Sequence, residues 1–455
     1  MARFRPSERP LTILGLPESS PSEPIHFFEC DPASLGDAFA RWGLPRFRAR
    51  QVMQWVYERG VGDVDDMTNL SKADRAALRE KLVIASGETV KHQAATDGTQ
   101  KLLVAWPPPP PPEGQEAREF QDVSDGEPSG GMAGSSLPML EDHRPRTECV
   151  MIPSDSRASG RSRQTACISS QVGCPVGCRF CASGLGGLEL NLSAGRIVEQ
   201  VWRLGRLEGV GRISHVVFMG MGEPLANFSA VSRALETMTA EWGLGLSARR
   251  ITVSTVGVPA GIRRLAGLDL PVTLAISLHA PNDAIRRRII PWAEFVTIDQ
   301  LLAAGRDYFD RTGREITLEY ILLGKVNDQP EHARELARVA GTLRSNVNLI
   351  RYNEVAGLGF DRPATADVRA FRETLAKAGI NVHIRASRGR DIAAACGQLR
   401  HESRTGGGKT GHAKGRRNPE PASRRDRANT TGTEKNRHHP EGRTAAAATP
   451  PNRPA

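Results

Sequence analysis

The chain has 455 residues, 39% hydrophobic and 25% charged, so it is long enough to bury a large core and is not a disulfide-stapled peptide. No apolar run reaches the length of a membrane span or of a signal peptide, which predicts a cytoplasmic protein with no membrane partner. The net charge is +10, but residues 401–455 alone hold twelve basic and five acidic residues, a net charge of +7. The rest of the chain is therefore only mildly basic.

The first part of the chain predicts a leader followed by a small helical module. Residues 1–30 are rich in Pro and Ser, a composition typical of a flexible segment. The module, residues 31–95, contains three predicted helices, at residues 34–39, 47–57 and 71–82. In the second helix Val52, Trp55 and Val56 share one face, as expected of a helix that packs on a core.

Residues 96–153 predict a hairpin that is interrupted at its tip. Two strand-like runs, residues 101–106 and 148–152, flank an insertion at residues 107–145 that begins with six consecutive prolines. Between Glu113 and Asp142 the insertion holds eight acidic residues and one Arg. We interpret the insertion and the basic tail, residues 401–455, as disordered and solvated, and an electrostatic contact between them is the alternative.

From residue 154 to residue 400 the pattern alternates between strands and helices. Strands are predicted at residues 166–169, 214–219, 251–255, 272–278, 316–323, 347–352 and 380–386. Helices are predicted at residues 194–207, 229–241, 297–312, 331–343 and 367–378, the third with a capping box. Because the strands are nearly continuous apolar runs, they predict a parallel sheet covered by helices, closed or partly closed into a barrel. Functional groups should then lie at the carboxyl ends of the strands.

The strongest chemical signal is a C-x3-C-x2-C run after the first barrel strand, formed by Cys174, Cys178 and Cys181. Three neighbouring thiolates suit a four-iron cluster and leave one iron without a protein ligand. That iron can bind the amino and carboxylate groups of S-adenosylmethionine (SAM). A zinc site completed by a distant His or Cys is the alternative, although structural zinc sites usually pair two C-x2-C or C-x2-H units.

Further candidate residues follow the other strands. Gly222 and Glu223 come after the second strand, where a glycine admits a ligand close to the backbone and a carboxylate can accept from an ammonium group. Later strand ends carry Ser254, Ser277, Leu278, His279 and Asn353. Each alone is commonly a polar cap, but at successive strand ends together they predict a cofactor pocket.

These segments resemble the RlmN/Cfr family of radical SAM RNA adenine methyltransferases. The matching motifs are residues 165–181, 220–225, 277–283 and 391–399, supported by residues 47–57 and 97–101, so the resemblance covers most of residues 33–400. It implies an α/β fold, a partial (β/α)6 barrel of radical SAM type with a small N-terminal helical domain. It also implies one 4Fe-4S cluster on the three cysteines, two SAM molecules per turnover, and a disulfide bond.

The resemblance assigns roles to two further cysteines. The implied reaction methylates C2 of adenosine in 23S rRNA, and also in tRNA. This carbon bears no acidic proton and cannot attack a methyl sulfonium. Cys396 matches the family's methyl carrier, which one SAM methylates before a 5′-deoxyadenosyl radical from a second SAM activates the new methyl group. Cys167 matches the cysteine that releases the product, and Glu148 matches the proton acceptor. The segment between Glu148 and Cys167 is longer than usual in the family.

Two other functions remain open at this point. Methylation of C8 in 23S rRNA adenosine, the reaction of the antibiotic-resistance branch, shares the motifs. A non-catalytic RNA-binding protein with a structural metal is the alternative from another class. RNA contacts are expected of the N-terminal module, the basic tail and the triplet Arg286, Arg287 and Arg288, which is otherwise a solvated face. The implied partners are RNA and an electron donor such as flavodoxin or ferredoxin, and we expect a monomer.

Overall fold

A computed structural model describes residues 24–108, 142–155 and 162–399. Most of the predicted leader and insertion and all of the tail lie outside these residues. The strands are β1 Ile25–His26, β2 Leu82–Val83, β3 Glu88–Ala94, β4 Gln100–Ala105, β5 Arg146–Asp155, β6 Ser162–Cys167, β7 Gln171–Gly173, β8 Leu188–Asn191, β9 His215–Phe218, β10 Ile251–Thr255, β11 Thr273–Ser277, β12 Ile316–Leu322, β13 Ser345–Arg351 and β14 Val382–Arg385.

The α-helices cover the sheet and form the N-terminal module. They are α1 Pro32–Arg41, α2 Arg48–Met53, α3 Lys72–Lys81, α4 Ala194–Gly205, α5 Phe228–Thr239, α6 Pro259–Ala266, α7 Asp283–Ile289, α8 Ile298–Thr312, α9 Pro330–Gly341 and α10 Thr365–Lys377. The predicted capping box of α8 is confirmed, with Thr297 and Gln300 each bonding the other's backbone N–H. Within the described ranges, no helix is both long and apolar enough to cross a lipid bilayer.

The N-terminal module begins earlier than the sequence predicts. Residues 25–30 fall inside the predicted leader, yet β1 pairs with β2 and a short 3-10 helix follows. Phe27 and Phe28 are fully buried there, and their aromatic rings pack against each other. Two adjacent aromatic side chains supply enough apolar surface to hold this segment on the core. The predicted helix at residues 47–57 is α2 followed by one π-helical turn, Gln54–Glu58.

A ten-stranded sheet forms the centre of the protein, in the order β14-β13-β12-β11-β10-β9-β6-β5-β4-β3. The seven strands from β6 to β14 in this sheet are parallel, and the first six are each followed by at least one helix. The predicted hairpin is confirmed by the antiparallel pairing of β4 with β5, where Leu102 lies opposite Cys149. Strand β3 was not predicted, because its residues are almost all exposed and give no apolar pattern.

Candidate active site

A cavity opens at the carboxyl ends of the parallel strands. Every strand from β9 to β14 contributes a side chain to its wall, through Phe218, Ser254, Thr255, Ser277, Glu319, Ile321, Ile350 and Arg385. Because six neighbouring strands face one cavity, the sheet must curve around it, which agrees with the predicted partial barrel. The loop after β7 and the segment after β14 complete the wall with Cys174, Cys178, Cys181 and Cys396.

The loop with the three cysteines is held rigidly at the edge of the cavity. The Cys174 N–H donates to the Gly187 carbonyl at 2.8 Å, and the Cys181 N–H donates to the Cys178 carbonyl at 3.1 Å. Gly177 has φ +67°, and a Cβ on Gly184 would lie only 3.0 Å from the Gly177 Cα. These two glycines therefore allow the loop to fold back on itself between its cysteines.

The environment of the three thiols fits a cluster of soft metal ions. Burial raises the pKa of Cys174 to about 12, and burial together with the two other cysteines raises the pKa of Cys178. Thiolates in such a place are stable only as metal ligands. In the described residues, no three His, Cys, Asp or Glu side chains surround a single point. A 4Fe-4S cluster does not require that, because each thiolate binds a different iron.

Glu223 is buried beside the cavity and is held by three hydrogen bonds. Its carboxylate accepts from the Thr255 hydroxyl at 2.7 Å, from the Val256 N–H at 2.7 Å and from the Leu225 N–H at 3.0 Å. Burial raises the pKa of this carboxyl group, while the three hydrogen bonds oppose the rise. A carboxylate has about four acceptor sites, so one remains for a further donor, and Glu223 lines the cavity.

Four other predicted residues line the same cavity. The hydroxyl oxygens of Ser254 and Ser277 lie 3.4 Å apart at neighbouring strand ends. Gly222 has φ +105°, and a Cβ there would lie 2.7 Å from Gln171, so only glycine fits. His279 accepts the Ile321 N–H at its Nδ1, which leaves Nε2 as the donor of a neutral ring. Burial and the charge of Arg286 lower the pKa of His279 to about 3.

Two predicted cofactor contacts are not on the cavity wall. The Leu278 side chain is fully buried in the main hydrophobic core. Its backbone N–H donates to the Glu319 carbonyl, and its carbonyl accepts from the Arg286 guanidinium. Asn353 is buried and accepts a hydrogen bond from Arg362 at 3.4 Å. Both residues follow strand ends, as predicted. Successive side chains along a strand point to opposite faces, however, so only alternate residues at a strand end face the cavity. Position along the chain alone did not resolve this difference.

The segment of Cys396 is bonded to the loop with the three cysteines. The Ala182 N–H donates to the Gly397 carbonyl, and the Ser183 hydroxyl donates to the Leu399 carbonyl, both at 2.8 Å. Cys396 thus lines the same cavity as the three cysteines although it is more than 200 residues away in sequence.

Cys167 and Glu148 lie on neighbouring strands beside this segment. Cys167 pairs with Val150 in the sheet, and Glu148 shares the face of Val150, two residues along β5. Cys167, Val150, Ala394 and Leu399 form one apolar cluster, which brings Cys167 against the segment of Cys396. Burial and the neighbouring Cys396 raise the pKa of Cys167 to about 12, against the charge of Arg385.

Lys101, whose role was not predicted, connects Glu148 with the segment of Cys396. Its ammonium group lies 2.7 Å from the Glu148 carboxylate and donates to the Ala393 carbonyl at 3.2 Å. All seven cysteines of the chain are free thiols in this structure, so the disulfide bond that the resemblance implies is not formed.

Sequence reasoning missed two charged residues of the cavity wall, Glu319 and Arg385. One Arg385 Nη lies 3.9 Å from the Glu319 carboxylate and 3.0 Å from the Met219 sulfur. The adjacent Cys396 and the Glu319 carboxylate raise the pKa of Arg385 against the effect of burial. Glu319 lies in the middle of an otherwise apolar strand. Because charged side chains are rarely buried in a hydrophobic core, this position indicates a side chain that faces a cavity.

Two family models match the chain. Residues 25–84 match the model of the ribosomal RNA large subunit methyltransferase N-terminal domain, and residues 168–337 match that of the radical SAM superfamily. The chain is 42% identical over 365 residues to the probable dual-specificity RNA methyltransferase RlmN of Gloeobacter violaceus, covering 80% of this chain and 92% of that protein.

Two further matches cover a similar share. The dual-specificity RNA methyltransferase RlmN of Nitratidesulfovibrio vulgaris is 42% identical, over 79% of this chain and 90% of that protein. The crystal structure of a radical SAM methyltransferase from Sphaerobacter thermophilus superimposes with a TM-score of 0.72 at 37% identity, over 83% of this chain and 100% of that one. The chain therefore belongs to the RlmN family of dual-specificity RNA methyltransferases of the radical SAM type.

Proposed function

We propose that this enzyme methylates C2 of adenosine in 23S rRNA and tRNA, with Cys396 as the carrier of the methyl group. The observation that carries the proposal is the position of Cys396, which lines the same cavity as Cys174, Cys178 and Cys181. Adenine C2 is an aromatic carbon without an acidic proton, so it requires a radical route rather than a direct displacement on SAM.

The three cysteines would hold a 4Fe-4S cluster at the edge of the cavity. When bound, the cluster supplies the electron that cleaves SAM reductively. Glu223 lines the cavity and retains one acceptor site, which suits the ammonium group of SAM. Ser254, Ser277 and the Nε2–H of His279 add hydroxyl groups and a donor at neighbouring strand ends, which can fix the orientation of the ligand.

The thiols of Cys396 and Cys167 act in sequence. Cys396 takes the methyl group of one SAM. Loss of one hydrogen atom to the 5′-deoxyadenosyl radical of a second SAM would then let the methylene carbon bond C2 of the base. Glu148 takes the C2 proton, and its ion pair with Lys101 fixes the position of the carboxylate. The adduct also gives up one electron, for which the oxidised cluster would be the acceptor. The Cys167 thiolate then attacks the Cys396 sulfur, so that an S–S bond forms between the two cysteines and the S–CH2 bond breaks. The electron pair of that bond takes up a proton, which completes the methyl group on the base. The location of Cys167 in the same apolar cluster as Ala394 and Leu399 supports this role.

The test is methylation of an RNA fragment by the anaerobically reconstituted enzyme, with mass spectrometry of the nucleosides. We expect 2-methyladenosine from the wild type, and none from Cys396→Ala. Cys30→Ala is the matched control, since Cys30 is a buried thiol of the N-terminal module, and it should retain methylation. The product 8-methyladenosine would contradict the C2 assignment and support the other branch of the family.

A second measurement tests the cofactor. After reconstitution with iron and sulfide, the wild type should absorb in the visible region and cleave SAM, and Cys178→Ala should do neither. Stoichiometric zinc without cleavage of SAM would instead indicate a structural metal site and an RNA-binding protein.

A further inference from the structure

Arg286 in α7 is a fully buried cation. The sequence predicts an RNA contact for it, but its side chain is 0% exposed, and that expectation is wrong for this member of the triplet. Its guanidinium donates to three backbone carbonyl groups, Val256 at 2.6 Å and Leu278 and Val296 at 3.2 Å each. Each of its three nitrogens thus has an acceptor, but these neutral partners do not neutralise its charge.

Among the described residues no carboxylate forms an ion pair with Arg286. The nearest acidic groups that act on it are Cys178 and Asp283, and the Asp283 carboxylate accepts the Ile298 N–H instead. Burial lowers the pKa of Arg286 to about 10, so the group is still charged at neutral pH. A buried charge that forms no ion pair is expensive, which suggests that a ligand supplies the rest of the compensating charge.

Helix α7 packs directly on the loop with the three cysteines. Ile285 and Ile289 belong to the same apolar cluster as Val176 and Phe180 of that loop, and the Arg179 N–H donates to the Ile289 carbonyl at 2.9 Å. Val256, the closest hydrogen-bond acceptor of Arg286, also lines the cavity of the cysteines. Arg286 therefore lies immediately behind the cavity wall next to the cysteine loop.

We propose that Arg286 is the counter-charge of the iron-sulfur cluster and makes the cluster easier to reduce. The inference rests on the proposed function, which places a 4Fe-4S cluster on Cys174, Cys178 and Cys181. With three thiolate ligands this cluster carries a net negative charge, which grows by one unit on reduction. A buried cation nearby stabilises the reduced form more than the oxidised form, because the attraction scales with the charge.

The experiment is an anaerobic redox titration of the reconstituted enzyme, followed by electron paramagnetic resonance of the reduced cluster. Arg286→Gln removes the charge, and Arg286→Met is a second neutral variant in case the first does not fold. Arg286→Lys keeps the charge. Arg288→Gln removes a positive charge from the exposed face of the same helix and is the matched control.

We expect the neutral variants to lower the equilibrium constant for reduction at least tenfold, which is about 59 mV for one electron. Arg286→Lys and Arg288→Gln should stay within about threefold of the wild type. The inference would be overturned by a neutral variant that holds the cluster and has an unchanged equilibrium constant for reduction. An equal change of this constant in Arg288→Gln would overturn it too. Either result would leave the proposed function intact. A wild type that binds no cluster would overturn the proposed function as well.

Discussion

At the scale of single residues, the buried Glu223 carboxylate both stabilises the fold and offers an acceptor site to a ligand. Its two carboxylate oxygens bond the ends of two different elements, the Leu225 N–H after β9 and the Thr255 hydroxyl and Val256 N–H at β10. The residue therefore fixes two strand ends relative to each other. Any ligand that uses the remaining acceptor site meets a group that has already been positioned.

Replacing Glu223 by Gln should weaken both the fold and the binding of SAM. A glutamine side chain has only one oxygen, so its amide nitrogen would face at least one of the three donors. That donor would lose its hydrogen-bond partner, which should lower the free energy of unfolding by about 1–3 kcal/mol. Chemical denaturation and equilibrium binding of SAM measure the two effects. Glu236→Gln, an exposed residue of α5, is the control. Unchanged stability in Glu223→Gln would mean that these hydrogen bonds do not contribute.

Residue chemistry and spacing predicted eight of the 22 residues that line the cavity, and the family resemblance added Cys396. Cys174, Cys178 and Cys181 share one short loop, and the polar residues at strand ends follow from the parallel sheet. The buried cation at Arg286 was not predicted, since a triplet of arginines contains no sign of which member faces inward. That choice depends on the carbonyl groups of three separate loops, which only the folded chain brings together.

At the scale of elements, α4 joins the N-terminal module to the sheet. Glu199 of α4 is fully buried, and its carboxylate accepts from the His26 ring at 3.0 Å and from the Ser86 and Gly87 N–H groups at 2.9 Å. Arg203 completes the network with an ion pair at 2.7 Å. Despite burial, the attraction of His26 and Arg203 lowers the pKa of Glu199 to about 2. The module and the barrel thus share one electrostatic network.

This network should make the stability depend on pH through His26. Burial disfavours the charged ring, but the carboxylates of Glu199 and Glu29 outweigh it and raise the pKa of His26 above 6.5. The pKa of His26 is higher in the folded than in the unfolded chain, so the protonated ring stabilises the fold. This contribution is complete below pH 6.5, and it is lost as the pH rises through the pKa of His26 in the folded chain. The wild type should therefore lose more stability from pH 6 to pH 9 than His26→Gln does.

Denaturation at a series of pH values measures this difference. The exposed His92 of β3, replaced in the same way, is the control and should leave the pH profile unchanged. Parallel profiles for the wild type and His26→Gln would show that the ion pair with Glu199 does not couple protonation to folding.

The elements themselves were predicted to different degrees. The long helices and the apolar strands were found within a few residues, because their hydrophobic patterns are strong. The short helices α6 and α7 were missed, as were β7 and β8, since segments of three to eight residues carry too little pattern. The structure of residues 25–30 was not predicted, because the preceding residues are rich in Pro and Ser and the whole segment was assigned to a flexible leader. Its two aromatic residues, Phe27 and Phe28, are nevertheless buried.

At the scale of the whole molecule, the positive charge is distributed unevenly, and this distribution predicts how RNA binding responds to salt. Residues 401–455 hold a net charge of +7 of the total of +10. The binding of basic segments to phosphates releases counterions, so each phosphate contact makes affinity more sensitive to salt. The tail can add affinity without any contact to a base, which would leave the choice of the target adenosine to the cavity.

Deleting residues 401–455 should therefore weaken RNA binding and flatten its salt dependence. If the tail neutralises about three phosphates of single-stranded RNA, the slope of log affinity against log salt concentration becomes shallower by about 2. A tail of equal length with Gln in place of its Lys and Arg residues should behave like the deletion, because charge rather than length is responsible. The product identity should be the same in all three proteins, since the residues that line the cavity lie within residues 174–397. An unchanged slope after the deletion would place all phosphate contacts on the folded part of the chain.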